Sequence, residues 1–99
     1  MIISLDESIK EIVPPFLENR RTDIQKLSMA LESKDWELIL SIAHNMKGSG
    51  VTFGFVKITE LGLAIKQAAE LQNIEQVSVQ LGLFKDYLDN LRIEYHSKI

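Results

Sequence analysis

Ile74, Val77, Leu81, Phe84, Leu88, Leu91 and Tyr95 follow one another at alternating spacings of three and four. A chain can gather all of them on one side only by winding at about 3.6 residues per turn, so the stretch predicts an amphipathic helix running to Tyr95. The same rhythm recurs upstream. Leu17, Ile24, Leu27 and Leu31 mark a helix from Phe16 to about Glu32, and Trp36, Ile39, Ala43, Met46, Gly50 and Phe53 mark a second, with Trp36 placed in the core. Ile58, Leu61, Ile65 and Ala68 mark a third, from about Phe55 to Leu71. Between them stand residues that start or stop helices: Pro14 and Pro15 in a first turn, Ser33 or Asp35 as an N-cap, Gly54 as a break, and Asn73 with Gln76 as a capping box. No segment reads as a strand. Near-heptad stripes joined by short connections predict an all-α, up-down antiparallel four-helix bundle, with residues 1–99 as a single domain. The leading segment "IISLDESIKEIV" predicts a short additional N-terminal helix across one end.

Charge and composition narrow the function classes. Eleven basic against fourteen acidic residues leave a net charge of −3 and no basic field for a phosphate backbone, which argues against a nucleic-acid partner. Cysteine is absent, so neither a disulfide nor a Cys-based metal site is expected. The start lacks a basic, then apolar, leader, and no apolar run approaches the ~18 residues of a membrane span, so a cytoplasmic protein without a membrane partner is expected. One chain meets the helix count of the bundle, so a monomer is expected.

The second helix carries an anomaly in "AHNMKGSGVTFGF". Gly48 and Gly50 each cost a helix about 0.8–1.0 kcal/mol relative to alanine. At about 100 degrees per residue, His44 lies roughly 130 degrees from the core stripe, facing solvent near Leu40, Ser41 and Val51. Lys47, at i+3, can reach an anion carried by the imidazole, and a side chain at Gly48, at i+4, would stand over the ring. Gly50 falls on the core stripe, where a missing side chain permits close approach by a neighbouring helix. An accessible imidazole beside a lysine suits nucleophilic attack on phosphorus, because its nitrogen is partly unprotonated near neutral pH and forms a labile phosphoramidate. No carboxylate cluster that could hold Mg²⁺ accompanies His44, and the glycines do not form a nucleotide loop, since the lysine precedes them. A carrier without metal or cofactor of its own is expected, visited by partners that bring the metal.

That stretch resembles the signature of histidine phosphotransfer (HPt) domains, and the similarity extends through "FLENRRTDIQKLSMALESKDW" and "ITELGLAIKQAAELQNIE" over nearly the whole chain. The resemblance implies a phosphorelay intermediate. His44 would take a phosphoryl group from a receiver aspartyl phosphate, or from a kinase, and pass it to a receiver aspartate, with Lys47 balancing charge and Gly48 giving access. Gly50 and Gly54 match positions used for packing and for the interhelical turn. Receiver domains and a sensor histidine kinase are the implied partners. One departure stands out: where the family often places Glu or Gln to accept from the histidine's other ring nitrogen, this chain aligns Lys66, followed by Gln67. Lysine cannot accept that hydrogen bond. Lys66 is expected to add a second cation near the phosphate, with Gln67 or a water orienting the ring.

Leu40, Ser41 and Val51 are the expected partner-binding residues, joined by Ile2, Ile3 and Leu5 if the leading segment packs beside them. An alternative is a docking bundle that binds receivers without being phosphorylated, but a docking face alone requires none of His44, Lys47 and Gly48. A phosphatase using His44 as a general base would need an orienting group, for which Gln67 is the one candidate. His96, in the polar "EYHSKI" tail, and Asp86 with Asp89 are read as solvated.

Overall fold

Pro14 and Pro15 occupy the first turn of α1 (Val13–Ser33), where amide N–H groups have no intrahelical partner to lose. The helix therefore begins a turn before the apolar rhythm becomes visible. The computed structural model describes residues 2–97. Lys34, in the left-handed region at φ 56°, closes α1, with its N–H and that of Asp35 bonded to Leu31 O at 3.2 Å and Ala30 O at 2.8 Å. Asp35, not Ser33, caps α2 (Trp36–Phe53): its Oδ1 accepts from Leu38 N at 3.2 Å. Gly54, at φ 78°, ends α2, and Phe55 leads into α3 (Val56–Glu70). Asn73 caps α4 (Ile74–Asn90), accepting from Gln76 N at 3.1 Å.

Each helix packs on two others, α2 on α1 and α3, and α4 on α3 and α1. Neighbours run in opposite directions: Phe16 meets Phe53 while Arg20 meets Ser49, and Gly50 faces Thr59 while Gly62 faces Ala43 and Lys47. Among the described residues every buried side chain is apolar, apart from the hydroxyl of Tyr87. The stripes Ile39–Ala43–Met46, Ile58–Leu61–Ile65 and Val77–Phe84–Leu88 all face inward. Phe55, fully buried, stacks on Phe16 with ring centroids 5.3 Å apart, which ties the α2–α3 turn to the start of α1. Trp36 is half-buried at the edge of the core.

Two expectations are corrected at the chain ends. The leading segment is not a helix but a strand, β1 (Ile2–Asp6), followed by a 3-10 turn at Glu7–Ile9 that Asp6 caps through Ser8 N at 2.8 Å. The last helix does not reach Tyr95. It stops at Asn90, and Leu91 turns into β2 (Arg92–His96), which pairs in parallel with β1 from Ile2↔Arg92 to Asp6↔His96. The cause is a coincidence of periods. A spacing of four between Leu91 and Tyr95 satisfies both a helix and a strand, but with Ile93 between them the run also alternates, and these residues are half-buried while Arg92 and Glu94 are exposed. Ile3 and Leu5 face the core from β1, so the ribbon closes one end of the bundle.

Tyr87 Oη is buried without a protein hydrogen-bond partner, and burial pushes its pKa up to about 12. The raised value means that the folded state favours the protonated phenol. This contribution is present below pH 10 and is lost as pH rises through about 12. Tyr87→Phe is therefore expected to match or exceed the wild type in urea midpoint at pH 7, since it removes an unsatisfied hydroxyl, and to lose less stability between pH 10 and 12.

Candidate functional site

His44 projects from the middle of α2 into solvent, directly after the fully buried Ala43. Lys47 follows one turn on, half-buried, and Gly48 one residue later, exposed. A Cβ built on Gly48 would meet nothing within 4 Å. No neighbouring side chain or helix demands a glycine there, and a longer side chain at that position would lean back toward His44, one turn earlier. Gly50 is the opposite case. A Cβ there would lie 2.7 Å from Thr59 N and 2.9 Å from Phe55 O, and would collide with the Thr59 hydroxyl.

Residues from both flanking helices brace this glycine-containing turn. Thr59 Oγ1 of α3 donates to Lys47 O at 3.0 Å. Arg20 Nη1 of α1 donates to Ser49 Oγ, which itself donates to Met46 O at 3.1 Å, and Thr52 Oγ1 donates to Gly48 O at 3.2 Å. Arg20 is held in turn: its Nε lies 2.8 Å from Asp23 Oδ2, and its guanidinium carbon lies 5.1 Å from the centre of the Phe16 ring. Burial pushes the Asp23 carboxyl above its ordinary range, against the pull of Arg20 and Lys26. These side chains hold in helical geometry a segment whose own propensity is poor.

Gly62 of α3 is a residue that sequence reasoning missed. A Cβ on it would sit 2.9 Å from both Ala43 O and Lys47 N and 3.1 Å from Met46 Cβ, so α3 lies against the α2 backbone directly behind the His44 turn. The available signal was a glycine beside Leu61 and three residues before Ile65, on the inward side of a helix with no turn nearby. Lys66, one turn beyond Gly62, shares the α2-facing side of α3 and is half-buried, with its ammonium 3.3 Å from Glu70 Oε2. Gln67 is turned about 100 degrees further round the helix. It lines the groove between α3 and α4 with Gln76 and Gln80, away from the face that Lys66 and Gly62 share.

Of the expected docking residues, Leu40 is half-buried, Ser41 exposed, and Val51 70 % exposed. On α3, Val56 and Leu63, seven residues apart and so on one face, add further exposed apolar surface. Ile3 and Leu5 instead serve the ribbon at the bundle end. His96 is exposed, its Nε2 4.0 Å from Glu94, while Asp89 pairs with Arg21 at 3.0 Å. Among the described residues no three or more His, Asp or Glu side chains gather in a way that could hold a metal ion, and no helix is long and apolar enough to cross a membrane.

Comparison with protein families finds one match: the model of the Hpt domain aligns with residues 11–94. Neither a curated protein nor a solved structure matches the chain.

Proposed function

From the premise that the chain belongs to the Hpt domain family, whose members are phosphocarriers in phosphorelay signalling, we propose that His44 is the residue that carries the phosphoryl group. An unprotonated ring nitrogen of His44 attacks the phosphorus of a receiver aspartyl phosphate. The N–P bond forms as the P–O bond breaks, and the aspartate leaves as a carboxylate with the electron pair; the reverse step hands the group to another receiver. Lys47 offsets the charge that arrives, and Gly48 leaves the approach to the ring free. Mg²⁺ and the remaining catalytic groups come with the receiver. Residues 1–99 act as one carrier unit without turnover chemistry of its own.

The observation that carries this proposal is the exposed His44 on a braced helical turn, with open space above Gly48. A general acid or base needs no such clearance, but an approaching receiver loop does. Leu40, Ser41 and Val51, extended by Val56 and Leu63 of α3, supply the mixed apolar surface on which the receiver docks.

The test is transfer of label from a phosphorylated receiver domain to the purified protein, wild type beside His44→Gln. Acid-labile, base-stable label on the wild type and none on His44→Gln is the expected result. A folded wild-type protein that binds receivers yet takes no label from any of them would instead be a docking bundle.

A further inference from the structure

Lys66, the expected second cation near the phosphate, has its ammonium already engaged by Glu70 Oε2 at 3.3 Å. The direction of that engagement matters. Because α2 and α3 are antiparallel and Gly62 lies opposite Ala43 and Lys47, each step along α3 beyond Gly62 moves toward the N-terminal end of α2. At a rise of about 1.5 Å per residue, Lys66 is rooted ~6 Å beyond Gly62, and Glu70 a further ~6 Å. Glu70 thus draws the flexible ammonium away from the level of His44, while the Lys66 stem remains on the α2 side of the helix.

The pair is weak enough to be exchanged. Its side chains are 34 % and 52 % exposed, and the lysine precedes the glutamate, the less favourable order for an i,i+4 ion pair. A phosphoryl group on His44 brings close to two negative charges against the single charge of Glu70. Besides Lys66 and Glu70, the charged side chains on this side of the two helices include Lys47, which follows His44, and the exposed Glu37, seven residues before His44 and so on the same face of α2 but two turns away from it.

Resting on the reading of His44 as the phosphorylated residue, we infer that Glu70 is a counter-ion that holds Lys66 away from unphosphorylated His44 and releases it to the phosphoryl group, so that the Lys66–Glu70 pair sets how tightly the phosphate is retained. Glu70 acts here as a positioning residue, because it reaches the phosphate only through Lys66. It lowers the gain from Lys66 by the strength of the ion pair that must be broken. The consequence is a carrier whose phosphohistidine is less retentive, and hence more readily discharged to a receiver, than one with an unopposed lysine.

A double-mutant cycle tests this. The equilibrium of label between a phosphorylated receiver and the carrier, together with the hydrolysis rate of the isolated phosphoprotein, is measured for wild type, Glu70→Gln, Lys66→Met and the double variant. Glu70→Gln is expected to shift the equilibrium about 1.5- to 2-fold toward phosphorylated His44, as an i,i+4 pair of this class allows. Lys66→Met, which removes the cation without adding an acceptor for the ring, is expected to shift it the other way, and the double variant to match Lys66→Met alone. In wild type, the Lys66 ammonium nitrogen and the Glu70 carboxyl carbon should both change NMR shift on phosphorylation. An equal effect of Glu70→Gln with and without Lys66 would mean that Glu70 acts on the phosphate directly, and would overturn the inference, as would no effect at all. Absence of label from all four proteins overturns the carrier assignment itself, a result distinct from label that is indifferent to Glu70.

Discussion

Gly62→Ala is expected to lower the thermal midpoint, although alanine is the better helix former by about 0.8–1.0 kcal/mol. The added Cβ would stand 2.9 Å from Ala43 O and Lys47 N, and those are backbone atoms of a helix that cannot give way singly. Relief requires α3 to move off α2 as a body, and overpacking of this kind costs about 1–3 kcal/mol. Net of propensity, the loss is up to about 2 kcal/mol, or as much as roughly 16 °C for a domain of this size. Gly82→Ala on α4 provides the control, since a Cβ there meets nothing within 4 Å. It should raise the midpoint by up to about 1 kcal/mol equivalent. If Gly62→Ala gains as much as Gly82→Ala, the close approach of α3 behind His44 is wrong. The same displacement would carry Lys66 away from the α2 face, so the variant is also expected to retain phosphate less well than its stability alone accounts for.

Where the four helices lie was legible because each buries one stripe, and a stripe can be read from a single segment. The caps followed for the same reason: Asp35, Gly54 and Asn73 act on backbone groups within a few residues of themselves. The ribbon was not legible, because each strand finds its hydrogen-bond partner at the other end of the chain. Leu91 and Tyr95, moreover, fit the helical period as well as the strand period. At the site, the exposure of His44 and the opposite settings of Gly48 and Gly50 followed from angles around one helix. What such angles could not reveal were the elements that approach from elsewhere: Gly62 and Thr59 from α3, and Arg20 from α1 reaching Ser49. A polar side chain such as Arg20 looks like surface in its own helix, where Phe16 and Asp23 are its neighbours one turn away on either side. Only the packing of α1 on α2 brings Ser49 within reach of its guanidinium.

Gly48→Leu separates stability from function in the opposite sense to Gly62→Ala. Open space surrounds the site of the new Cβ, so the substitution should raise the thermal midpoint by up to about 1 kcal/mol equivalent through helix propensity alone. The leucine side chain, leaning toward the helix N-terminus, would then cover the ring of His44 one turn back. In-line attack on phosphorus requires the nitrogen within about 3–3.5 Å of the reacting atom, and a misplacement of about 1 Å can cost on the order of 100-fold. A fall of that order in the initial rate of label transfer from a phosphorylated receiver is therefore expected, from a protein more stable than the wild type. Gly48→Ala should fall between, because its single methyl extends only part of the way over the ring. Transfer by Gly48→Leu at the wild-type rate would show that the glycine does not serve access, and the helical cost of Gly48 would then have no explanation in the geometry of this face.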